Sequence, residues 1–472
     1  MTRARLDGLY MLLLGSVVFV LLGVVLENAS NISMQDFKVV YYPARCLIQH
    51  GDPYSESAVL RVYRAEEVSP QLDTPNMLQF ASRYIYLPAS FSFTVPFAML
   101  PWGPAHILWM ALTMGSLLLA SFLIWSVGAE DAPVLSGVLI GFLLANSEVL
   151  VILCNSAGIA VSLCIVAVWC FLSERFVPVG ILCLAVSLVI KPQDAGLVWL
   201  YFLLAGGVFR KRAGQTLLAA VALGLPGLLW VWRASPRWIE KWHANLSAFS
   251  AHGGLTDPGP ASANGYGLSL MTHLQTVFAF FRDDPRFYNS ASYLVCAPLL
   301  LVWAWVTLRS RPSSTRAWLA LAAVTALSML PVYHRLNDTK LLLLTVPACA
   351  ILWAEGGAIR WLALAVNAAG FTLTGDIPWT VAMLFIRYLH LSTTGLSGQI
   401  LRAALVFPTP LILLLMGIFY LWVYGGAYGA RASASALSAE SASPAKSPLA
   451  PASPDSGLKL NNALRLMASE RA

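Results

Sequence analysis

Two adjoining stretches near the N-terminus decide the fold: residues 9–26 read LYMLLLGSVVFVLLGVVL, and residues 31–42 read NISMQDFKVVYY. The first is an uninterrupted apolar run, and its length is close to the ~20 residues that a transmembrane helix needs. The second is polar and places a carboxylate, Asp36, shortly after that run. The pattern predicts a retained membrane anchor followed by a reaction centre at the bilayer surface.

The composition of the whole chain agrees with a membrane protein. Of its 472 residues, 58% are hydrophobic and 11% are charged, whereas a soluble domain carries roughly 25% charged residues. We therefore predict an all-α polytopic membrane protein whose apolar exterior is covered by lipid. The net charge of +7 comes from arginines in short loops, which indicates membrane topology rather than nucleic-acid binding.

The cysteine pattern gives no sign of a metal centre. The seven cysteines lie mostly inside apolar runs, their number is odd, and no C-x-x-C spacing occurs. This pattern does not favour a disulfide framework or a zinc site, and it fits small apolar packing residues. We expect neither a metal nor another cofactor.

The loop charges predict the topology. Arg3 and Arg5 hold the N-terminus in the cytoplasm by the positive-inside rule, so the first helix exits to the outside. The later apolar runs predict about 12 transmembrane helices with two partly helical external loops, at about residues 27–86 and 233–290. The amphipathic residues 380–401 predict an interfacial helix.

The C-terminal segment differs in composition from the rest. Residues 427–472 are rich in Ala, Ser and Pro with scattered charge, a composition that cannot bury a core. We predict a disordered cytoplasmic tail there and a single transmembrane domain over residues 1–426.

Under this topology the polar clusters of interest share the external side of the membrane. They are Asp36, Lys191-Pro192-Gln193, Trp242-His243, Tyr333-His334-Arg335 and Lys340. Ionisable groups near helix ends in membrane proteins usually line a water-filled cavity. A carboxylate can take a proton as a general base, and cations can neutralise a departing phosphate. The set therefore predicts group transfer from a phosphate-linked donor.

Each of these residues also has a purely structural interpretation, which the sequence leaves open. Asp36 could be the N-cap of a following helix, a position that favours aspartate. Lys191 could be a snorkelling lysine at a helix end, and His334-Arg335 could be a solvated connection. Trp242 could belong to an interfacial aromatic belt. Asp52, in Gly-Asp-Pro, is interpreted as a turn residue.

Several motifs resemble a known family. In chain order they are Asp36-Phe37, Tyr41-Tyr42, His50-Gly51-Asp52-Pro53-Tyr54, Tyr86-Leu87-Pro88, Val95–Pro101 and Val189-Ile190-Lys191-Pro192-Gln193. Together they are similar to glycosyltransferase family 87, a family of integral-membrane GT-C enzymes. Two positions depart from the family pattern: Leu87 replaces the first proline of the usual pair, and Asn155-Ser156-Ala157-Gly158 stands where members tend to carry Gly-Gln-x-Asn.

The resemblance implies a GT-C-type fold and a specific reaction. A hexose, as in the mannosyltransferases of the family, would pass with inversion from a polyprenyl-phosphate donor to an acceptor hydroxyl, without a metal or a nucleotide-sugar donor. Asp36 matches the catalytic acidic residue of the first external loop and would be the general base, and Lys191 would bind the donor phosphate. The expected partners are the lipid-linked donor, a glycolipid or glycan acceptor and the bilayer of the cell's inner (plasma) membrane, with the active site on the external (periplasmic) face.

The remaining site residues are predicted from topology. We expect His334, Arg335 and Lys340 to bind the donor phosphate with Lys191. The substrate pocket is predicted to contain Tyr41, Tyr42, Tyr86, Gln193, Trp242 and His243.

Two alternatives come from other functional classes. A transporter or lipid flippase would be expected to carry carboxylates in mid-helix and to show duplicated halves. Here the charges gather at predicted external helix ends, and no repeat is evident. An inactive scaffold of the same fold is the third possibility, and it rests only on the two departures from the family pattern.

Overall fold

A computed structural model describes residues 2–30, 33–66, 75–254, 256–259, 271–310, 313–388, 395–405 and 407–426. Within these ranges the regular structure is helical, apart from one isolated antiparallel bridge between Met271 and Arg335. Residues Met1–Gly425 form one compact unit. The prediction of an all-α protein is confirmed for the described residues, and the predicted tail at 427–472 lies outside them.

The described residues of the first half of the chain form ten α-helices and a short 3-10 helix. They are α1 (Arg3–Ala29), α2 (Gln35–Ile48), α3 (Glu56–Ala65), α4 (Pro75–Ser82), the 3-10 helix Pro88–Ser90, α5 (Phe91–Ala98), α6 (Trp102–Asp131), α7 (Pro133–Leu144), α8 (Glu148–Leu153), α9 (Ser156–Leu172) and α10 (Val177–Ile190).

The described part of the second half continues with eleven α-helices and another 3-10 helix. They are α11 (Pro192–Leu204), α12 (Gly207–Ala234), α13 (Trp238–Ser250), α14 (Gln275–Phe281), α15 (Pro285–Arg309), α16 (Ser314–Ser328), a second 3-10 helix Asp338–Leu344, α17 (Thr345–Glu355), α18 (Gly357–Leu373), α19 (Ile377–Tyr388), α20 (Gly395–Leu405) and α21 (Pro408–Gly425). Proline stands in the first turn of α7, α10, α11 and α15, where its missing N–H breaks no helical hydrogen bond.

The helices are apolar enough for a membrane-embedded protein. Among the described residues, α1, α6, α12, α15 and α21 have the length and hydropathy to cross a bilayer, and α7, α9, α10 and α18 are shorter apolar helices. The predicted count of about 12 spans is not confirmed. Several of the predicted spans are short helices: α10 and α11, which are separated at Lys191, have 14 and 13 residues, fewer than the ~20 that a straight span needs.

Helices α1 and α7 pack through glycine. A Cβ on Gly15 would lie 2.2 Å from the carbonyl oxygen of Gly141, and a Cβ on Gly8 would lie 2.2 Å from that of Pro133. The backbones are therefore in direct contact, as small residues allow between membrane helices. This packing places the end of α1 beside α8, where the Met34 N–H donates to the Ile152 carbonyl (2.7 Å). The start of α2 is held at that point.

Gly15→Ala is expected to destabilise the protein by about 1–3 kcal/mol, because the added methyl group must push two backbones apart. Gly115→Ala on α6 is the matched control, since a Cβ there meets no atom within 4 Å and alanine favours a helix. Thermal unfolding of the detergent-solubilised variants measures the difference. Equal unfolding temperatures for the two variants would show that the α1–α7 contact is not tight.

The two predicted external loops fold against each other. The Gly-Asp-Pro turn is present, with the Tyr54 N–H donating to Asp52 Oδ1 (3.0 Å), and Asp52 also forms an ion pair with Lys241 of α13. The Trp242 indole N–H donates to the Ile85 carbonyl (2.9 Å). Helix α13 is thereby fixed to the first loop, and the two segments together form one wall of a cavity.

Candidate active site

One cavity of about 850 Å³ collects side chains that are far apart in the sequence. Its wall includes parts of α2, α13 and α15, the break between α10 and α11, and the segment before the second 3-10 helix. Six of the predicted site residues line it: Asp36, Tyr86, Lys191, Gln193, Trp242 and Arg335. Asn155 and Asp338, which were not predicted as site residues, line it as well.

Asp36 lies in the first turn of α2 but does not cap it. The N-cap position belongs to Met34, and Asp36 Oδ2 instead accepts a hydrogen bond from the Asn155 side-chain amide (2.6 Å). The carboxylate is 3% exposed. Burial raises the pKa of Asp36 above its ordinary value, while Arg335, Asn155 and Lys191 oppose that rise. A carboxylate with a raised pKa is a stronger base than one in water, which suits proton abstraction.

Asn155 joins this carboxylate to helix α9. Its Oδ1 accepts the Ala157 N–H (2.8 Å) as the N-cap of α9, while its amide nitrogen donates to Asp36. Next to it, the Ser156 hydroxyl donates to the Tyr86 hydroxyl (3.1 Å). The start of α9 therefore orients two polar groups of the cavity wall.

Lys191 sits in the break between α10 and α11 and is already paired. Its Nζ lies 2.5 Å from Asp338 Oδ1 and 3.6 Å from Asp194 Oδ2. Burial alone would lower the pKa of Lys191, but the two carboxylates outweigh it and the pKa is raised. Asp338 is affected in the opposite way: burial would raise its pKa, but Lys191 and His334 hold it below the ordinary value. Lys191 and Asp338 therefore form a charged pair.

Arg335 is the second cation of the cavity, and it is much less engaged. Its backbone N–H donates to Asp338 Oδ2 (2.7 Å), which fixes the chain at this point. Its guanidinium Nε has no hydrogen-bond partner, and within the described part of the chain no carboxylate forms an ion pair with it. The side chain is half-buried at the cavity wall. Arg335 can thus bind an anion that enters the cavity.

Comparison with known sequences identifies the family of the chain. The model of glycosyltransferase family 87 matches residues 84–332, which is more than half of the chain. The chain belongs to glycosyltransferase family 87. Membership makes it a glycosyltransferase, with a sugar donor and an acceptor as substrates, and it does not favour the transporter or flippase alternative. No curated protein and no solved structure matches the chain.

The family match and the cavity overlap only in part. Lys191, Trp242 and Tyr86 lie inside the matched segment of this glycosyltransferase. Asp36 precedes the segment and Arg335 follows it, yet both line the same cavity as Lys191. Folding therefore brings Asp36 and Arg335, which lie outside the matched residues, next to residues inside them.

Five predicted site residues do not line the cavity of the transferase in the described structure: Tyr41, Tyr42, His243, His334 and Lys340. The Tyr41 hydroxyl donates to the Leu100 carbonyl (2.9 Å), and the ring of Tyr42 stacks on Trp102. His243 is exposed on α13.

Of these five, His334 and Lys340 are buried behind the wall. His334 Nε2 lies 3.4 Å from Asp194 Oδ1, so this imidazole faces a carboxylate. Lys340 is 3% exposed, and the nearby charges of Asp376 and Glu148 oppose the lowering of its pKa by burial. Both side chains therefore interact with carboxylates of the protein and do not reach the described cavity.

Several residues that line the cavity were not predicted from the sequence as site residues. Asp338 had one signal, its position three residues after Arg335 in a segment rich in cations. Asn155 was noted only as a departure from the family pattern. His273 and Gln275 also line the cavity, and the sequence around them carries no recognisable motif. Their position depends on tertiary packing alone.

One group of residues has the spacing of metal ligands. The ligand atoms of His252, Asp257 and Asp283 all lie within 4.8 Å of one another. Asp257 accepts the backbone N–H groups of Gly253 (2.6 Å) and Gly259 (2.9 Å). The group therefore closes the loop after α13, and none of the three residues lines the described cavity. We assign it no part in the transfer.

Asn155→Ser tests the contact with Asp36. Serine keeps a capping oxygen for α9 but removes the amide that donates to the carboxylate. Because this hydrogen bond lowers the pKa of Asp36, its loss should raise that pKa and move the acid limb of kcat/KM to higher pH. The rate at each pH measures the shift, and Ser162→Ala on the same helix is the control. An unchanged limb would contradict the contact.

Proposed function

We propose that this glycosyltransferase moves a hexose, with mannose as the first candidate, from a polyprenyl-phosphate donor to a hydroxyl of a glycolipid or glycan. The observation that carries the proposal is a single cavity that contains both a buried carboxylate, Asp36, and a cation without a carboxylate partner among the described residues, Arg335. A proton acceptor and an anion site in one cavity are what the reaction requires.

The proposed chemistry is one displacement. Asp36 takes the proton of the acceptor hydroxyl as its oxygen attacks the anomeric carbon of the donor. The new bond forms between that oxygen and the carbon, while the bond from the carbon to the phosphate oxygen breaks and its electron pair leaves with the phosphate. A single displacement inverts the anomeric configuration. Arg335 stabilises the phosphate as its negative charge increases.

The charge of the cavity favours a monophosphate donor. A sugar joined to a lipid through one phosphate is a diester with one negative charge, and it gains charge only as it leaves. Arg335 can match that charge, since Lys191 is already paired with Asp338. A nucleotide-diphosphate sugar brings more negative charge to the same place. Apolar wall residues, among them Leu87, Ile190 and Leu246, suit a lipid chain.

We place the reaction on the external face of the inner membrane. Arg3 and Arg5 lie at the start of α1, ahead of its apolar run, and α1 is long and apolar enough to cross a bilayer. Positive charge favours the cytoplasmic side. Asp36 follows the other end of α1. The GT-C architecture belongs to this proposal as well, with the first loop and α13 covering the site.

The test is transfer by the purified protein in lipid vesicles. Labelled mannose on a polyprenyl monophosphate, on a polyprenyl diphosphate and on a guanosine diphosphate are offered as donors, with a total lipid extract and octyl mannoside as acceptors. We expect product from the monophosphate, with an α-linkage when the donor is β-linked. Transfer from the nucleotide sugar alone, or retention of configuration, would contradict the proposal.

A further inference from the structure

One part of the cavity wall is polar but uncharged. His273 and Gln275 line it together with Asp36, and they lie just before and at the start of α14. They are 3% and 4% exposed, so water reaches them poorly. The transfer chemistry described above uses neither residue.

Each of the two side chains is held at one end and unpaired at the other. The Gln275 amide nitrogen donates to the Pro331 carbonyl (2.7 Å), and His273 Nε2 lies 3.3 Å from the Met271 sulfur. Gln275 Oε1 and His273 Nδ1 make no well-aligned hydrogen bond in the part of the chain that the structure describes, although the Gln275 side chain lies close enough to the imidazole to affect its pKa. Buried polar atoms are rarely left unpaired, because they have lost their hydrogen bonds to water. These two atoms therefore indicate a hydrogen-bonding ligand.

The two side chains bring no charge to this part of the cavity wall. Burial, and after it the charge of His334, lowers the pKa of His273 to about 3, while Gln275 opposes the shift. The imidazole is neutral at physiological pH, and the amide of Gln275 has no charge at any pH. Neutral donors and acceptors in a buried wall match hydroxyl groups, which can both donate and accept hydrogen bonds.

We propose that His273 and Gln275 form a subsite that binds hydroxyl groups of an uncharged sugar ring, either the hexose of the donor or a sugar of the acceptor. The inference rests on the proposed function, because it assigns the ligand of the same cavity. In this proposal, the residues that bind sugar hydroxyl groups are different from the charged residues that act on the reacting atoms.

The experiment compares His273→Leu with His273→Asn in the vesicle assay. Leucine removes the unpaired nitrogen, and asparagine keeps a hydrogen-bonding atom near its position. We expect His273→Leu to raise the KM of one substrate by ~10- to 100-fold, because a substrate hydroxyl is then left without its buried hydrogen-bond partner, and His273→Asn to recover most of that loss. Ser162→Ala on α9 is the control, since Ser162 does not line the described cavity and its hydroxyl already donates to the Gly158 carbonyl (2.6 Å).

Deoxy analogues then identify the bound sugar. In the wild type we expect one deoxy-mannose donor or one deoxy octyl mannoside to lose ~10- to 100-fold in kcat/KM, because a buried polar atom of the protein is left unpaired, and in His273→Leu the same analogue to react as well as its parent. Loss with a donor analogue assigns the subsite to the donor, and loss with an acceptor analogue assigns it to the acceptor.

Two results would overturn the inference while leaving the proposed function intact. One is a His273→Leu variant that transfers with wild-type KM values. The other is a wild-type enzyme that accepts every deoxy analogue like its parent, a measurement that needs no variant to fold. A wild-type protein that transfers no sugar from the polyprenyl monophosphate would contradict the proposed function instead.

Discussion

Asp36→Asn is expected to lower kcat/KM for sugar transfer by about 10²- to 10⁴-fold, the range over which a general base contributes. Asparagine has the shape of aspartate and can still accept the hydrogen bond from Asn155, but it cannot take the proton of the acceptor hydroxyl. The protein should remain folded and should unfold at the same or a higher temperature, because the buried charge of Asp36 is removed. Initial rates with polyprenyl-phosphate mannose and thermal unfolding give the two readouts.

Asp52→Asn is the matched control for this variant. Asp52 belongs to the same loop but forms the turn at Tyr54 and the ion pair with Lys241, and it does not line the described cavity. Its variant should retain most of the transfer rate. Full activity in Asp36→Asn, or an equal loss in both variants, would mean that Asp36 is not the base.

Arg335→Gln is expected to have the second largest effect, a loss of about 10²- to 10³-fold in kcat, as when a group that stabilises a developing negative charge is removed. It should also change the pH dependence. Arg335 lowers the pKa of Asp36, so its removal raises that pKa and Asp36 becomes protonated at higher pH. Since the protonated carboxyl cannot act as a base, the acid limb of kcat/KM moves to higher pH. The measurement is kcat/KM against pH for both proteins.

Arg335→Lys separates charge from geometry. Lysine restores the positive charge, so the acid limb should return toward its wild-type position. The rate should recover only in part, because an ammonium group cannot make the paired hydrogen bonds of a guanidinium. If Arg335→Gln has the wild-type rate and pH profile, the phosphate does not bind at this residue.

The parts of the fold that depend on composition were predictable, and the number of membrane spans was not. A low charged fraction and long apolar runs are enough to predict helices in a membrane. Several helices, such as α10 and α11 on either side of Lys191, are shorter than the ~20 residues that a straight membrane span needs. The count of spans could not be obtained from hydropathy alone.

The site shows the same division. Asp36 and Lys191 could be chosen because family motifs surround them, and the cavity contains both. Lys340 and Arg335 looked equivalent in the sequence, as cations in one short segment. The structure buries Lys340 among protein carboxylates and leaves Arg335 at the cavity wall. Pairing between charges is a property of the packed chain, so a single sequence does not reveal it.

The central claim is that the donor phosphate lies at Arg335 with the anomeric carbon near Asp36. The most direct measurement is a structure of the Asp36→Asn variant, in which the donor should stay intact, with polyprenyl-phosphate mannose bound. We expect the phosphate oxygens within hydrogen-bond distance of the Arg335 guanidinium, and room for an acceptor hydroxyl between the anomeric carbon and residue 36. A donor whose phosphate binds elsewhere, or whose sugar points away from residue 36, would contradict this account.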